Sequence, residues 1–251
     1  MPTSKKPILV IGDACKDVFV YCHCERLCPE APVPVLDIRY QEDNLGMAGN
    51  VYRNILALDY PCDLIANPGY DTITKTRYVD VKTNHMFLRI DNNPVATKFN
   101  GIKIMDFDKY SAIVISDYDK GFITERDIEY IGMSHPLTFL DTKKILGTWA
   151  RNMTFIKVNH KEYCLSQSSI DQVLEPKIIE TLGEEGCRFR QVRYPVNTVE
   201  IKNLSGAGDT FLAGLVVKYI ESNGDIGASL IYANQLATIV VQKRGVSTVK
   251  D

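Results

Sequence analysis

The chain has 251 residues, 45% of them apolar, enough for one sizeable core in a single domain with at most a small appendage. A formal charge of −2 and a pI near 6.1 supply no basic field to gather nucleic acid or an anionic membrane. They favour a small neutral or anionic metabolite as partner.

In chain order, Met1 to Pro7 leads into an apolar run of only Ile8 to Ile11 before Gly12-Asp13. That is too short for a signal peptide or a membrane span, and a cytoplasmic location is expected. Cys22, Cys24 and Cys28 cluster with His23, but C-x-C-x-x-x-C lacks the second pair a zinc site needs. With seven cysteines in all, an odd number, free thiols are expected rather than a disulfide framework. Val33 to Tyr40 reads as extended. Val51, Ile55 and Leu58 then fall on one helical face, with Asn44 or Gly46 as punctuation before it. After strand-like Leu64-Ile65, Lys75 to Asp91 reads as two strands outside the main set. Together with residues about 14–40 they are expected to form a small β lid.

Ala112 to Ile115, Leu137 to Leu140, Phe155 to Val158 and Ile178 to Glu180 repeat the pattern of Ile8 to Ile11. Each is a short run rich in Val, Ile and Leu, as buried parallel strands are. They stop at Ser116-Asp117, Asp141, Asn159 and Thr181. Ligands of an open α/β sheet bind beyond the carboxyl ends of its strands, so these polar residues are expected to share a cleft. Two helices close the chain, one from about Asp209 to Glu221. The other runs from the N-cap Asp225 to Lys243-Arg244, with Gly245 as its stop. No linker, repeat or low-complexity tract divides residues 1–251.

The sharpest motif is Leu204-Ser205-Gly206-Ala207-Gly208-Asp209-Thr210-Phe211. Two glycines at a helix start let successive N–H groups point outward, where the helix dipole favours an anion. Asp209 stands beside them, placed to take a proton from a hydroxyl attacking a phosphoryl group. Read alone, the motif equally fits a tight turn in which Asp209 only stabilises the dipole. There is no G-x-x-x-x-G-K-[ST], and Phe211 stands where a dinucleotide fingerprint requires a third Gly or Ala. A P-loop ATPase and an ordinary dinucleotide-dependent dehydrogenase are therefore disfavoured.

Gly46-Met47-Ala48-Gly49-Asn50, Asn159-His160-Lys161-Glu162, Thr181 to Gly186 and the Gly-Ala-Gly-Asp helix start follow in an order that resembles the ribokinase-like (PfkB) carbohydrate kinases. Gly12 to Asp17, Pro29 to Val35, Thr74 to Arg77, Leu88 to Asp91 and Ser116 to Gly121 sharpen this. With them nearly the whole chain resembles the kinase part of the bifunctional heptose 7-phosphate kinase/heptose 1-phosphate adenylyltransferases. The resemblance implies a compact three-layer α/β fold with a mostly parallel central sheet and a β lid. It also implies Mg-ATP as phosphoryl donor and D-glycero-D-manno-heptose 7-phosphate, phosphorylated at its anomeric hydroxyl, as acceptor.

The resemblance carries roles to positions. Asp209 becomes the base, and Gly206, Ala207 and Gly208 the anion hole. Asn159 and Glu162 attend phosphate and Mg²⁺, Glu162 indirectly. Thr181, Gly183 and Gly186 lie beside the nucleotide, and Asn234 and Gly245 flank adenine. Asp13, Asp17, Gly46, Asn50 and Asp117 belong to the sugar side, while Arg89 and Lys120 are candidates for clamping a phosphate already on the substrate. Plain alternatives stand beside these roles: Asp13 and Asn50 as helix caps, Arg89 and Lys120 as solvated charges. A homodimer through the lid is implied, and a monovalent cation is a further cofactor to consider.

The chain departs from the family at three places. Asn203 stands where the motif starts with Asp, which weakens any cation interaction there. Met47 replaces a Gly, with a side chain that could narrow the sugar pocket or demand a changed backbone. Asp63 to Thr74 is too short for the usual further α/β unit. No adenylyltransferase domain is expected after Asp251, and no His-x-x-His signature occurs. The rival readings are a kinase of another sugar, sugar phosphate or nucleoside, and a catalytically silent nucleotide- or sugar-binding protein.

Overall fold

The computed structural model describes residues 5–250. Met1 to Ser4, part of the leading segment read above as too short for a signal peptide, lie outside the described residues. The chain opens with β1 (Ile8–Gly12), the lid strands β2 (Ala14–Leu27) and β3 (Pro34–Met47), α1 (Ala48–Ala57) and β4 (Cys62–Ala66). Two more lid strands follow, β5 (Thr74–Asp80) and β6 (Met86–Asn92). The chain then returns through β7 (Ala112–Asp117), α2 (Glu125–Ser134), β8 (Thr138–Thr142), β9 (Phe155–Asn159), α3 (His160–Ser166) and β10 (Ile178–Thr181). It ends with β11 (Cys187–Phe189), β12 (Val192–Tyr194), α4 (Ala207–Glu221) and α5 (Ile226–Val240).

The main sheet has the order β12-β11-β10-β9-β8-β7-β1-β4, parallel from β4 to β10 and antiparallel beyond. Its inner strands are apolar on both faces because both faces are covered. Leu9 and Ile11 of β1 and Ile113 and Ile115 of β7 join a core with Ile128 and Ile131 of α2. The alternating residues Ile8, Val10, Ala112 and Val114 join a second core with Val51 and Ile55 of α1, Leu212 and Val216 of α4 and Leu230 of α5. The result is the expected three layers. Between β4 and β5 there is only a short 3₁₀ turn at Tyr70–Thr72, which fits the reading of a compact version.

The lid is a four-stranded sheet of order β3-β2-β5-β6. Its second strand runs on to Met47, beyond the expected end at Tyr40, because all of residues 40–47 stay paired with β2. Asn44 and Gly46 therefore lie inside a strand and do not punctuate a helix. Met47 is also corrected. Its backbone keeps a positive φ of 58°, strained for a residue with a side chain, but the side chain is buried in the first core rather than narrowing a pocket.

The last two helices need corrections. α4 begins two residues earlier than expected, because Gly206 caps it in the left-handed region at φ 84°. Asp225 caps α5 as read, its side chain accepting from the Ala228 N–H. That helix ends at Val240 and not at Arg244, since the Val241 carbonyl accepts the N–H groups of Lys202 and Asn203. Gly245 lies in the turn beyond. Among the described residues no helix is long and apolar enough to cross a membrane.

Candidate active site

Asp209 lies in the first turn of α4, and its carboxylate is buried. The Asn50 side-chain amide donates to Oδ2 at 2.9 Å, and the Tyr118 hydroxyl donates to Oδ1 at 2.8 Å. Asn50 is itself held: Asn54 donates to its carbonyl groups, and Thr210 donates to Asn54. This relay ties α1 to α4. Gly206 is required where it stands, since a Cβ there would meet Asn50 Nδ2 at 2.7 Å on a backbone that side chains disfavour. A Cβ on Gly208 would stand 3.0 Å from the Lys157 ammonium, so a buried cation lies under the turn.

Burial is the main reason that the Asp209 pKa is raised to about 6. The Asn50 hydrogen bond opposes the rise, the Asp141 charge adds to it, and the Tyr118 hydrogen bond and Lys157 charge oppose it. Tyr118 is pushed well above its ordinary value, first by burial and then by the Asp209 charge, and so remains a proton donor. Only the carboxylate form of Asp209 can accept a proton. A profile of kcat/KM against pH should therefore lose activity as pH falls through about 6. A limb centred at the ordinary aspartate value, about 3.9, would contradict this environment. The effect on stability has the opposite sense: the buried group contributes stability below its unfolded pKa, and this is lost as pH rises through about 6.

On the lid side, Asp13 follows β1 and accepts the Tyr118 and Lys120 N–H groups on Oδ2 at 2.8 and 3.2 Å. Its buried Oδ1 has no protein partner, and burial raises its pKa. Lys120 thus enters the site through its backbone. Asp17 is paired with Arg77 at 2.6 Å, and a Cβ on Gly46 would collide with the Asp17 carboxylate at 2.1 Å. Arg77 faces Arg89 across β5 and β6, and Arg89 grips Asp91 with two bonds of 2.7 and 2.6 Å. A cleft lined by Phe19, Arg77, Val79 and Met86 of the lid and Ile201 to Ser205 of the main domain opens here. Asp117 is not turned to it: its carboxylate is taken up by Thr142 at 2.6 Å and Lys144 at 2.9 Å.

On the other side of the α4 start, Gly183, Ala207 and Asn234 line a mainly apolar pocket with Val196, Val199, Leu204 and Val241. Asn234 is fixed by donating to the Tyr194 carbonyl at 2.7 Å. Thr181 and Gly186 do not line this pocket. Gly245 lies toward the lid, its carbonyl accepting from Asn203 at 3.0 Å. Asn159 and Glu162 form a reciprocal capping box at the start of α3, which explains their spacing by local structure.

Four groups at the site were missed by sequence reasoning: Tyr118, Lys143, Lys157 and Asp141 in its role as partner of Lys157. Lys157 and Asp141 form a pair of 2.7 Å buried to 5% and 2% side-chain exposure. Lys143 bonds Glu162 at 2.5 Å. Tyr118, Asp141 and Lys143 lie at or just beyond the carboxyl end of a strand, and that position was the available signal, whereas Lys157 is in the middle of β9.

The fold and site can be set beside known proteins. Residues 139–251 match the family described as pfkB family carbohydrate kinase. The bifunctional protein HldE of a Nitratiruptor species is 30% identical over 294 aligned residues, covering 97% of this chain and 63% of that protein. The chain thus spans less than two thirds of the length of that curated relative. Among solved structures, Thermotoga maritima ribokinase superposes with a TM-score of 0.70 at 15% identity, covering 96% of this chain and 94% of the other. The Methanocaldococcus jannaschii nucleoside kinase also gives 0.70, at 16% identity, with 97% and 94% covered.

Proposed function

We propose that the chain, which has a ribokinase-like fold and matches the pfkB carbohydrate kinase family over residues 139–251, is a carbohydrate kinase that transfers the γ-phosphate of Mg-ATP to the anomeric hydroxyl of D-glycero-D-manno-heptose 7-phosphate. The observation that carries this reading is the Asp209 carboxylate, buried in the first turn of a helix whose start, Leu204 to Ala207, borders both a cleft under the lid and a mainly apolar pocket. The pocket suits an adenine ring. The cleft suits an anionic sugar, because Arg77 lines it and Lys75 and Arg89 share the lid face of Arg77 by register. The unpartnered Asp13 Oδ1 is free to accept a sugar hydroxyl. Asp209 takes the proton of the attacking hydroxyl as its oxygen bonds the γ-phosphorus, and the bond to the bridging oxygen breaks to release ADP.

For Mg²⁺ the donor set fits an indirect role. Among the described residues no group of three or more His, Cys, Asp or Glu could hold a metal ion. Glu162, already accepting from Asn159, and the buried Asp141 Oδ1, with no hydrogen-bond donor, would hold its waters. The ion would neutralise phosphate oxygens.

ADP release with a panel of sugars, each with and without a terminal phosphate, tests the reading. The heptose 7-phosphate should give the highest kcat/KM. Equal turnover of the unphosphorylated sugar would exclude it as the physiological acceptor, and nucleotide binding without turnover of any sugar would favour a silent protein.

We also propose a homodimer through the outer lid face. There Leu88, Ile90 and Ile38 are about half exposed over the register positions of Val18, Val20, Cys22 and Tyr78. Sedimentation should give twice the 28.3 kDa chain mass. Replacing Leu88 and Ile90 together by Lys should give the monomer. A wild-type monomer at micromolar concentration would refute the interface.

A further inference from the structure

We propose that Lys143 is a catalytic residue whose ammonium binds the non-bridging oxygens of the phosphoryl group during its transfer. The inference rests on the kinase reading and adds to it a group that the motifs left unassigned. Lys143 follows β8 at the carboxyl edge of the sheet. Its ammonium lies 5.1 Å from the centre of the Tyr118 ring, the ring whose hydroxyl donates to Asp209. It also lies 2.5 Å from Glu162 Oε1 and 3.8 Å from Asp141 Oδ1. It therefore stands between the base with its partner and the Asn159 and Glu162 pair, the interval a phosphoryl group must cross.

Lys75, 4.8 Å from the centre of the same Tyr118 ring, belongs to the lid face assigned above to the anionic sugar, and the two cations beside Lys143 are committed. Lys157 is fixed on Asp141 beneath Gly208. Lys144 is divided between Asp117 and Asp119. Lys143 is one-third exposed and can turn. Burial alone would lower its pKa, but the Asp141 and Glu162 carboxylates outweigh it and the net shift is upward. The group stays charged. Its present partner also tolerates its departure, because Glu162 keeps the Asn159 backbone N–H and side-chain amide, both at 2.8 Å. An incoming phosphate can thus draw the ammonium away without leaving a buried carboxylate unpaired.

In the step itself the sugar proton passes to Asp209, the new O–P bond forms and the bond to the bridging oxygen breaks, its electron pair leaving with ADP. Lys143 keeps its proton and supplies hydrogen bonds and charge that strengthen as the transferring group forms.

The test is Lys143→Met beside wild type and Asp209→Asn. With Lys143→Met, kcat should fall by about 10²–10³ fold, the loss typical of one removed transition-state donor, while KM for the sugar stays within a few fold. Lys143→Arg should recover part of the rate. Should Lys143→Met fail to fold, Lys143→Gln takes its place. A kcat within threefold of wild type, where Asp209→Asn is inactive, overturns this role and leaves the kinase reading intact. A second readout needs no turnover: calorimetry with ADP and tetrafluoroaluminate, a mimic of the transferring group. Wild type should bind the pair more tightly than ADP alone, and Lys143→Met should lose that gain. Equal gains in the two proteins overturn the inference, whereas a wild type that phosphorylates no sugar overturns the kinase reading.

Discussion

Asp209→Asn is expected to lower kcat by about 10²–10⁴ fold, the usual worth of a positioned general base, with little change in nucleotide affinity. The substitution keeps volume and can keep one of the two hydrogen bonds, so the helix start and its outward N–H groups persist. What disappears is the proton acceptor. The acid limb that Asp209 contributes, at a pKa of about 6, should be lost from the residual activity. What remains is the second ionisation of the sugar phosphate, also at about 6, and repeating the profile with an unphosphorylated sugar removes it. Steady-state rates with calorimetric nucleotide affinities decide the matter. A variant with full activity would mean that Asp209 only stabilises the helix dipole.

Asp141→Ala is expected to cost about 3–5 kcal/mol of stability, because it leaves the Lys157 charge buried without its partner. The two groups are 2.7 Å apart and almost wholly removed from solvent, where a lone ammonium has no water to replace the carboxylate. For a domain of this size each kcal/mol moves the melting temperature by about 2–4 °C, so a fall of roughly 6–20 °C should appear in a thermal melt. Adding Lys157→Met should restore much of it, since the uncompensated charge is then gone. A single variant that melts with the wild type would show that Lys157 finds another counter-charge, for which Asp209 in the adjacent turn is the candidate. Activity should fall as well, because the pair lies under that turn.

Much of the fold was legible because its strands are buried on both faces. Ile8 to Ile11 and Ala112 to Ile115 read as uniform apolar runs, and they are the middle of the sheet. The lid was less legible. Residues 41–47 of β3 are mostly polar and Gly-containing, and only pairing with β2 across the turn makes them a strand. The end of α5 was misplaced for a similar reason. Val241 looks like one more helical residue until the loop before α4 claims its carbonyl.

The site divides along the same line. Asp209, Asn50 and Asp13 could be named from local motifs, and the fold brings Asn50 and Asp209 into contact across 159 residues of chain. The roles of Tyr118, Lys143 and Lys157 could not be read this way. They depend on β7, β8 and β9 lying side by side, which places three strand ends at one edge. Asp117 shows the converse. Its position after a strand looked functional, yet Thr142 and Lys144 occupy it, a pairing between neighbouring strand ends that no single segment reveals.

The central claim is that a sugar hydroxyl, deprotonated by Asp209, receives the γ-phosphate. Phosphorus NMR of the product formed from heptose 7-phosphate and Mg-ATP tests it most directly. A second phosphate resonance coupled to the anomeric proton, formed by wild type and absent with Asp209→Asn, is the predicted result. A product phosphorylated at another position would contradict the acceptor assignment, and inorganic phosphate alone, released equally by both proteins, would contradict the mechanism.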